Sequence, residues 1–176
     1  LGYDAAALGN HDFSYGTGFL AASLDGAAYP VVCANVRAPG LRVPPWVVLR
    51  REVLGRDGRR YPIGIGVIGF LPPQTAAWEA VAAPGLKTED ILVAARRELP
   101  RLRAAGAEVV VVLAHSGIGS GTENAAAALA ALPGVDAVVA GHTHATFPED
   151  GAPCVEGADA AAGTLWGKPA VQPGFC

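Results

Sequence analysis

"VVVVLAHSG", residues Val109 to Gly117, is an apolar run stopped by a histidine, a serine and a glycine. It reads as a buried strand over Glu108–Ala114, with its polar stop just past the carboxyl end. Working outward, the same shape recurs: short apolar runs that end in glycine, histidine or proline alternate with alanine-rich helical stretches. That alternation is the pattern of a layered α/β protein.

The other candidate strands are Pro30–Val36, Trp46–Leu54, Tyr61–Phe70 and Asp136–Ala140. Between the second and third of these lies "GRDGRR", whose Asp57-Gly58 step is a hairpin signal, so the flanking strands should pair antiparallel and the sheet should be mixed. Helices are expected over Thr17–Leu24, Gln74–Val81, Thr88–Ala105 and Gly121–Leu132. In the third, Thr88 reads as the N-cap, and Ile91, Ala95, Leu99 and Leu102 recur on one apolar face. Pro100 should kink or divide that helix. "GIGVIG", Gly64 to Gly69, spells a dinucleotide-binding fingerprint but lies inside a strand-like run that leads into Leu71-Pro72-Pro73, so it reads as strand. "SGIGSG", Ser116 to Gly121, lacks the Lys-Ser/Thr of a P-loop and reads as a connection.

The 176 residues suit one domain or part of one, and 51% hydrophobic against 16% charged residues indicates a folding chain. A net charge of -3 carries no electrostatic footprint for polymeric nucleic acid or an anionic membrane. No apolar run reaches the length of a membrane span. Cys33, Cys154 and Cys176 show no CxxC spacing, hence neither a zinc ribbon nor a disulfide framework. The chain has no methionine and begins at Leu1, so it reads as a piece of a longer protein.

All four histidines sit in short polar segments just beyond apolar runs: His11 in "GNHD", His115 in "LAHSG", His142 and His144 in "AGHTH". In open α/β sheets, sites form beyond the carboxyl ends of strands. Gly9 and Gly141, each before a polar cluster, allow a sharp turn and a close backbone approach. His142 and His144 stand two apart, so in an extended segment both imidazoles would point to the same side. Neutral imidazoles with the Asn10 amide oxygen suit Zn, Mn, Fe or Ni.

The order GNHD, then a histidine beyond a strand, then GHTH resembles the second half of the calcineurin-like metallophosphoesterase signature. The segments "LGYDAAALGNHDFSYG", "IGVIGFLPPQTAAWE", "GVDAVVAGHTHATFP" and "GKPAVQPGF" are similar to the 5'-nucleotidase group, and within it to the bifunctional 2',3'-cyclic-nucleotide 2'-phosphodiesterase/3'-nucleotidases. The resemblance runs from Leu1 to Phe175 and implies an α/β fold, a four-layer α/β/β/α sandwich with mixed sheets, incomplete at its N-terminus. It also implies two divalent metal ions, of the Zn, Mn, Fe, Co or Ni type, and a small nucleotide as substrate. Asn10, His115 and His142 would then ligate one metal and His144 the other, while His11 would be catalytic and face the transferring phosphoryl group. By the same analogy the parent protein belongs in a periplasm or cell envelope.

The family's signature begins with Asp-x-His and Gly-Asp segments, which this chain does not contain. Residues 1–176 are therefore expected to be a partial domain, without those N-terminal metal-binding motifs and without the C-terminal nucleotide-binding domain. Alone, the chain is expected to bind metal poorly and to lack useful activity. In some relatives an aspartate three residues after the catalytic histidine orients it; here that position is Ser14, which leaves Ser14, Asp12 or an upstream group to do so.

Overall fold

The computed structural model describes residues 2–149 and 154–175. Its strands are β1 (Ala6–Ala7), β2 (Val31–Val32), β3 (Val36–Arg37), β4 (Trp46–Leu54), β5 (Arg60–Phe70), β6 (Lys87–Thr88), β7 (Val109–Ala114), β8 (Ala137–Ala140), β9 (Thr146–Phe147), β10 (Ala158–Asp159), β11 (Thr164–Leu165) and β12 (Lys168–Pro173). Between them lie the helices α1 (Thr17–Asp25), α2 (Thr75–Trp78), α3 (Ile91–Ala104) and α4 (Ala126–Ala131), and a 3₁₀ turn over Asn10–Phe13.

Among the described residues one eight-stranded mixed sheet dominates, in the order β10-β11-β12-β8-β7-β5-β4 with β9 alongside β12. The β4–β5 hairpin forms where the sequence places it, in register from Trp46 opposite Ile68 to Leu54 opposite Arg60. Its turn closes because Gly58 takes φ 77° and Asp57 accepts hydrogen bonds from the Arg59 amide at 3.1 Å and the Tyr61 hydroxyl at 2.7 Å. From β5 onward the pairings with β7, β8 and β12 are parallel, so these strands present their carboxyl ends at one edge.

Helices α3 and α4 cover this sheet. Ile91, Ala95, Leu99 and Leu102 are all buried, as their spacing requires, and share one core with Ile68, Phe70, Val110, Val112 and Leu129. A second cluster, Leu8, Phe13, Leu20, Cys33, Leu71 and Leu86, anchors the N-terminal segment beside the sheet. The two layers touch closely at Gly69. A Cβ there would lie 2.2 Å from the Val32 carbonyl oxygen, while the Gly69 carbonyl accepts a hydrogen bond from the Ala34 amide at 2.7 Å. Burial pushes the Cys33 thiol up to about 12, Cys154 is free and exposed, and Cys176 lies outside the described residues.

Several local expectations are corrected. The run Pro30–Val36 is two short strands in different sheets, because Cys33 and Ala34 turn their amides to Pro44 and Gly69 and Asn35 hydrogen-bonds both the amide and the carbonyl of Leu71. Asp90, not Thr88, caps α3, accepting from the Leu92 and Val93 amides at 2.9 and 3.0 Å; Thr88 pairs with Val36 in a small sheet. Pro100 lies inside α3 on its exposed side and does not divide the helix. Helix α4 starts late, since Ala125 is spent on a bridge to Ile118. "GIGVIG" is strand, as read. The last strand, β12, went unread because prolines at 169 and 173 mask its alternating burial.

Candidate metal and phosphate site

The site lies where β7 and β8 end, beside the turn that follows β1. Gly9 continues from β1 in extended backbone, and its amide donates to Asp12 Oδ2 at 2.8 Å, closing the 3₁₀ turn. Phe13, fully buried, pegs that turn into the second core cluster. Asn10 is thereby held 7% exposed, with its Oδ1 2.9 Å from His115 Nε2. His115 itself is fixed by its amide, which continues the β7–β5 ladder by donating to Phe70 O at 2.8 Å. A Cβ on Gly9 would meet the His115 ring at 2.8 Å, so the glycine is what lets the two segments meet. Burial, helped by the nearby His142, pushes the His115 imidazole down to about 4, against a smaller opposing pull from Asp12. At neutral pH this ring is uncharged, the form in which histidine donates to a metal.

The β8 loop departs from its expected shape. His142 and His144 both take left-handed backbone, φ 70° and 58°, so the extended segment that would have aimed both rings to one side does not exist. The two rings have different neighbours. The His142 ring stacks on Trp78 with centroids 5.7 Å apart and planes 17° apart, and meets His115 edge-on at 5.2 Å. Its Nε2 donates to Glu123 Oε1 at 3.0 Å. His144 is exposed and packs against Phe175 at 4.9 Å.

His11 is exposed at the rim of the same turn. Its Nδ1 lies 3.4 Å from Ser14 Oγ, and the Ser14 hydroxyl donates to Glu79 Oε1 at 3.1 Å. Asp12 is occupied with the Gly9 amide. Of the two residues in this chain that the sequence left open, Ser14 is therefore the one in contact with His11, and a carboxylate stands behind it.

Four polar residues to which sequence reasoning gave no role hold the loops together. Ser116 donates from Oγ to Glu123 O at 2.6 Å and accepts from the Ala125 amide at 2.8 Å. Gln172, 1% exposed on β12, accepts from the Ile118 amide at 3.1 Å and donates to Thr143 Oγ1 at 2.6 Å, tying the His115 loop to the His142 loop. Glu79, just past α2, reaches Ser14, and Glu123, from the loop before α4, reaches His142. "TAAWE" and "AVQPGF" marked the ground of Glu79 and Gln172 beforehand as points of resemblance, and "SGIGSG" included Ser116 as a plain connection.

Among the described residues no group of three or more His, Cys, Asp or Glu side chains forms a ready-made metal cage. The donor chemistry nevertheless fits a divalent ion at Asn10, His115 and His142: an amide oxygen facing a neutral imidazole at 2.9 Å, with a second imidazole against the first. His144 is not gathered into that group. It stands near enough for its charge to weigh on His115.

A mixed α/β sheet with histidines and an amide at its strand ends defines a class, and the match is specific. Over residues 3–146 the chain matches the calcineurin-like phosphoesterase family, and it belongs to that family. The family is described as one of phosphoesterases. The 2',3'-cyclic-nucleotide 2'-phosphodiesterase/3'-nucleotidase of Salmonella typhimurium is 42% identical over 184 residues, covering 99% of this chain and 28% of that protein. Its counterpart in Yersinia enterocolitica is 40% identical, again over 99% of this chain and 28% of the relative. The crystal structure of the calcineurin-like phosphoesterase YfkN from Bacillus subtilis superposes with a TM-score of 0.90 at 37% identity, over 98% of this chain and 54% of that one. The chain thus spans about 28% of the length of the two enzymes it matches by sequence.

Proposed function

We propose that this chain carries part of the active site of a two-metal phosphoesterase that hydrolyses small nucleotides, 2',3'-cyclic nucleotides and nucleoside monophosphates. The observation that carries the reading is the convergence of Asn10, His115 and His142, with His11 at the rim beside them. Asn10, His115 and His142 would hold one divalent ion and His144 would contribute to a second. The remaining carboxylates would come from Asp-x-His and Gly-Asp segments outside these 176 residues. Bound ions would supply Lewis-acid charge to the phosphate oxygens and to the attacking water. The chain's own task is orientation and proton transfer. With Nδ1–H of His11 donated to Ser14 Oγ, Nε2 is the nitrogen left to face the phosphoryl group, and in the imidazolium form it would hand its proton to the leaving oxygen. We also place the parent protein in a periplasm or cell envelope, by analogy with its family; fractionation of cells producing the full-length protein tests that.

The test of the activity is hydrolysis by the full-length protein, stripped of metal and reloaded with Mn, Zn, Co, Ni or Fe. Expected substrates are 2',3'-cyclic AMP and 3'-AMP, with 5'-AMP and nucleotide sugars as the arms that would shift the reading to a 5'-nucleotidase. Turnover that survives metal stripping, or none with any metal, overturns it.

A further inference from the structure

The His142 ring has neighbours on three sides, and among the described residues only its Nε2 has a hydrogen-bond partner. Trp78 covers a face of its ring and His115 meets it edge-on, while Glu123 Oε1 takes Nε2 at 3.0 Å. A carboxylate oxygen only accepts, so this bond puts the imidazole proton on Nε2 and the lone pair on Nδ1. We infer that Glu123 is a positioning residue that fixes the Nε2–H tautomer of His142 and so selects Nδ1 as the atom offered to a divalent metal. The inference rests on the reading of His142 as a metal ligand given above. A carboxylate behind a ligating imidazole orients the ring and raises its basicity, and its removal typically costs about 10–100-fold in metal affinity.

The local structure shows why Glu123 is fit for this. Its backbone carbonyl accepts from the buried Ser116 hydroxyl at 2.6 Å, and the bridge between Ile118 and Ala125 closes the same loop. The residue is therefore clamped by its main chain to the strand end that bears His115, while its side chain crosses to the loop that bears His142. One residue thus sets the spacing of two candidate ligands. Because the clamp uses the backbone of Glu123, trimming the side chain leaves the loop's anchorage in place.

The experiment uses the full-length protein, metal-free, titrated with Zn²⁺ or Mn²⁺ alone, together with ¹⁵N-histidine spectra of the same metal-free protein. The wild type should show His142 protonated at Nε2. Glu123→Ala should lose that tautomer preference and weaken binding at one metal site about 10–100-fold. Glu123→Gln retains an accepting oxygen without the charge and should fall between them. A wild-type spectrum with the proton on Nδ1 overturns the inference. So does full metal affinity in Glu123→Ala when His142→Ala abolishes it. If His142→Ala leaves metal affinity unchanged, the reading of His142 as a ligand fails, and the inference fails with it.

Discussion

Gly9 is a position where a single added carbon would reach the site directly. With no side chain it admits the His115 ring at a distance where a Cβ would sit 2.8 Å from Cε1. Gly9→Ala should drive the ring off Asn10 and lower metal retention by the full-length protein, measured by elemental analysis after gel filtration; unchanged retention would refute the role given to this contact. His11 is tuned differently, through Ser14 to Glu79. His11→Ala should leave the metals bound and slow turnover by roughly 10²–10⁴-fold. Ser14→Ala should cost less, falling on kcat with KM little changed, because the ring remains but loses its orienting partner. Equal activity of wild type and His11→Ala would remove His11 from the mechanism.

Between elements, the clearest polar tie is Glu98 on α3, whose side chain is 8% exposed. It accepts from Arg97 Nε and Arg101 Nη1, each at 2.9 Å, and from the Trp46 indole on β4 at 3.2 Å. Burial alone would raise its carboxyl. The hydrogen bonds from Arg97 and Trp46 and the charge of Arg101 outweigh that and hold it below the ordinary glutamate value of 4.5. A lowered folded-state pKa contributes stability that is fully present above the unfolded value and is lost as pH falls through the folded one. Glu98→Gln should therefore melt below the wild type at neutral pH, and the gap should close on acidification below about pH 4.5. Thermal melts across that range check it; a gap independent of pH would show that the charge plays no part.

The elements themselves were largely legible. The Asp57-Gly58 turn, the valine run of β7 and the apolar stripe of α3 are local signals, and each reappears in the fold within a few residues of its reading. Helix starts were less so, since Thr88 and Asp90 are both competent caps and only the pairing of Thr88 with Val36 separates them. The residues gathered at the site were named from sequence, but their supports were not. Glu79 reaches Ser14 across 65 positions and Gln172 reaches Ile118 across 54. Such contacts have no periodicity to betray them. The aim of His142 and His144 was misread for a related reason: left-handed backbone at a histidine is a product of the tertiary setting.

At the scale of the whole molecule, Gln172 binds the last strand to both histidine loops. Gln172→Leu keeps the volume and leaves the buried Ile118 amide and the Thr143 hydroxyl without their partner. Such a loss costs about 1–3 kcal/mol, and the melting temperature should drop accordingly; a melt identical to wild type would deny the strap its structural role. The placement of the site's pieces along the chain also has a consequence for how the protein is made. Asn10 and His115 are 105 residues apart. At a synthesis rate of about 5–20 residues per second, the asparagine is incorporated roughly 5–20 s before its histidine. His142 and Gln172 follow later still, so on the function proposed above metal loading would wait for translation of this whole segment, with Asn10 the earliest made of its candidate ligands.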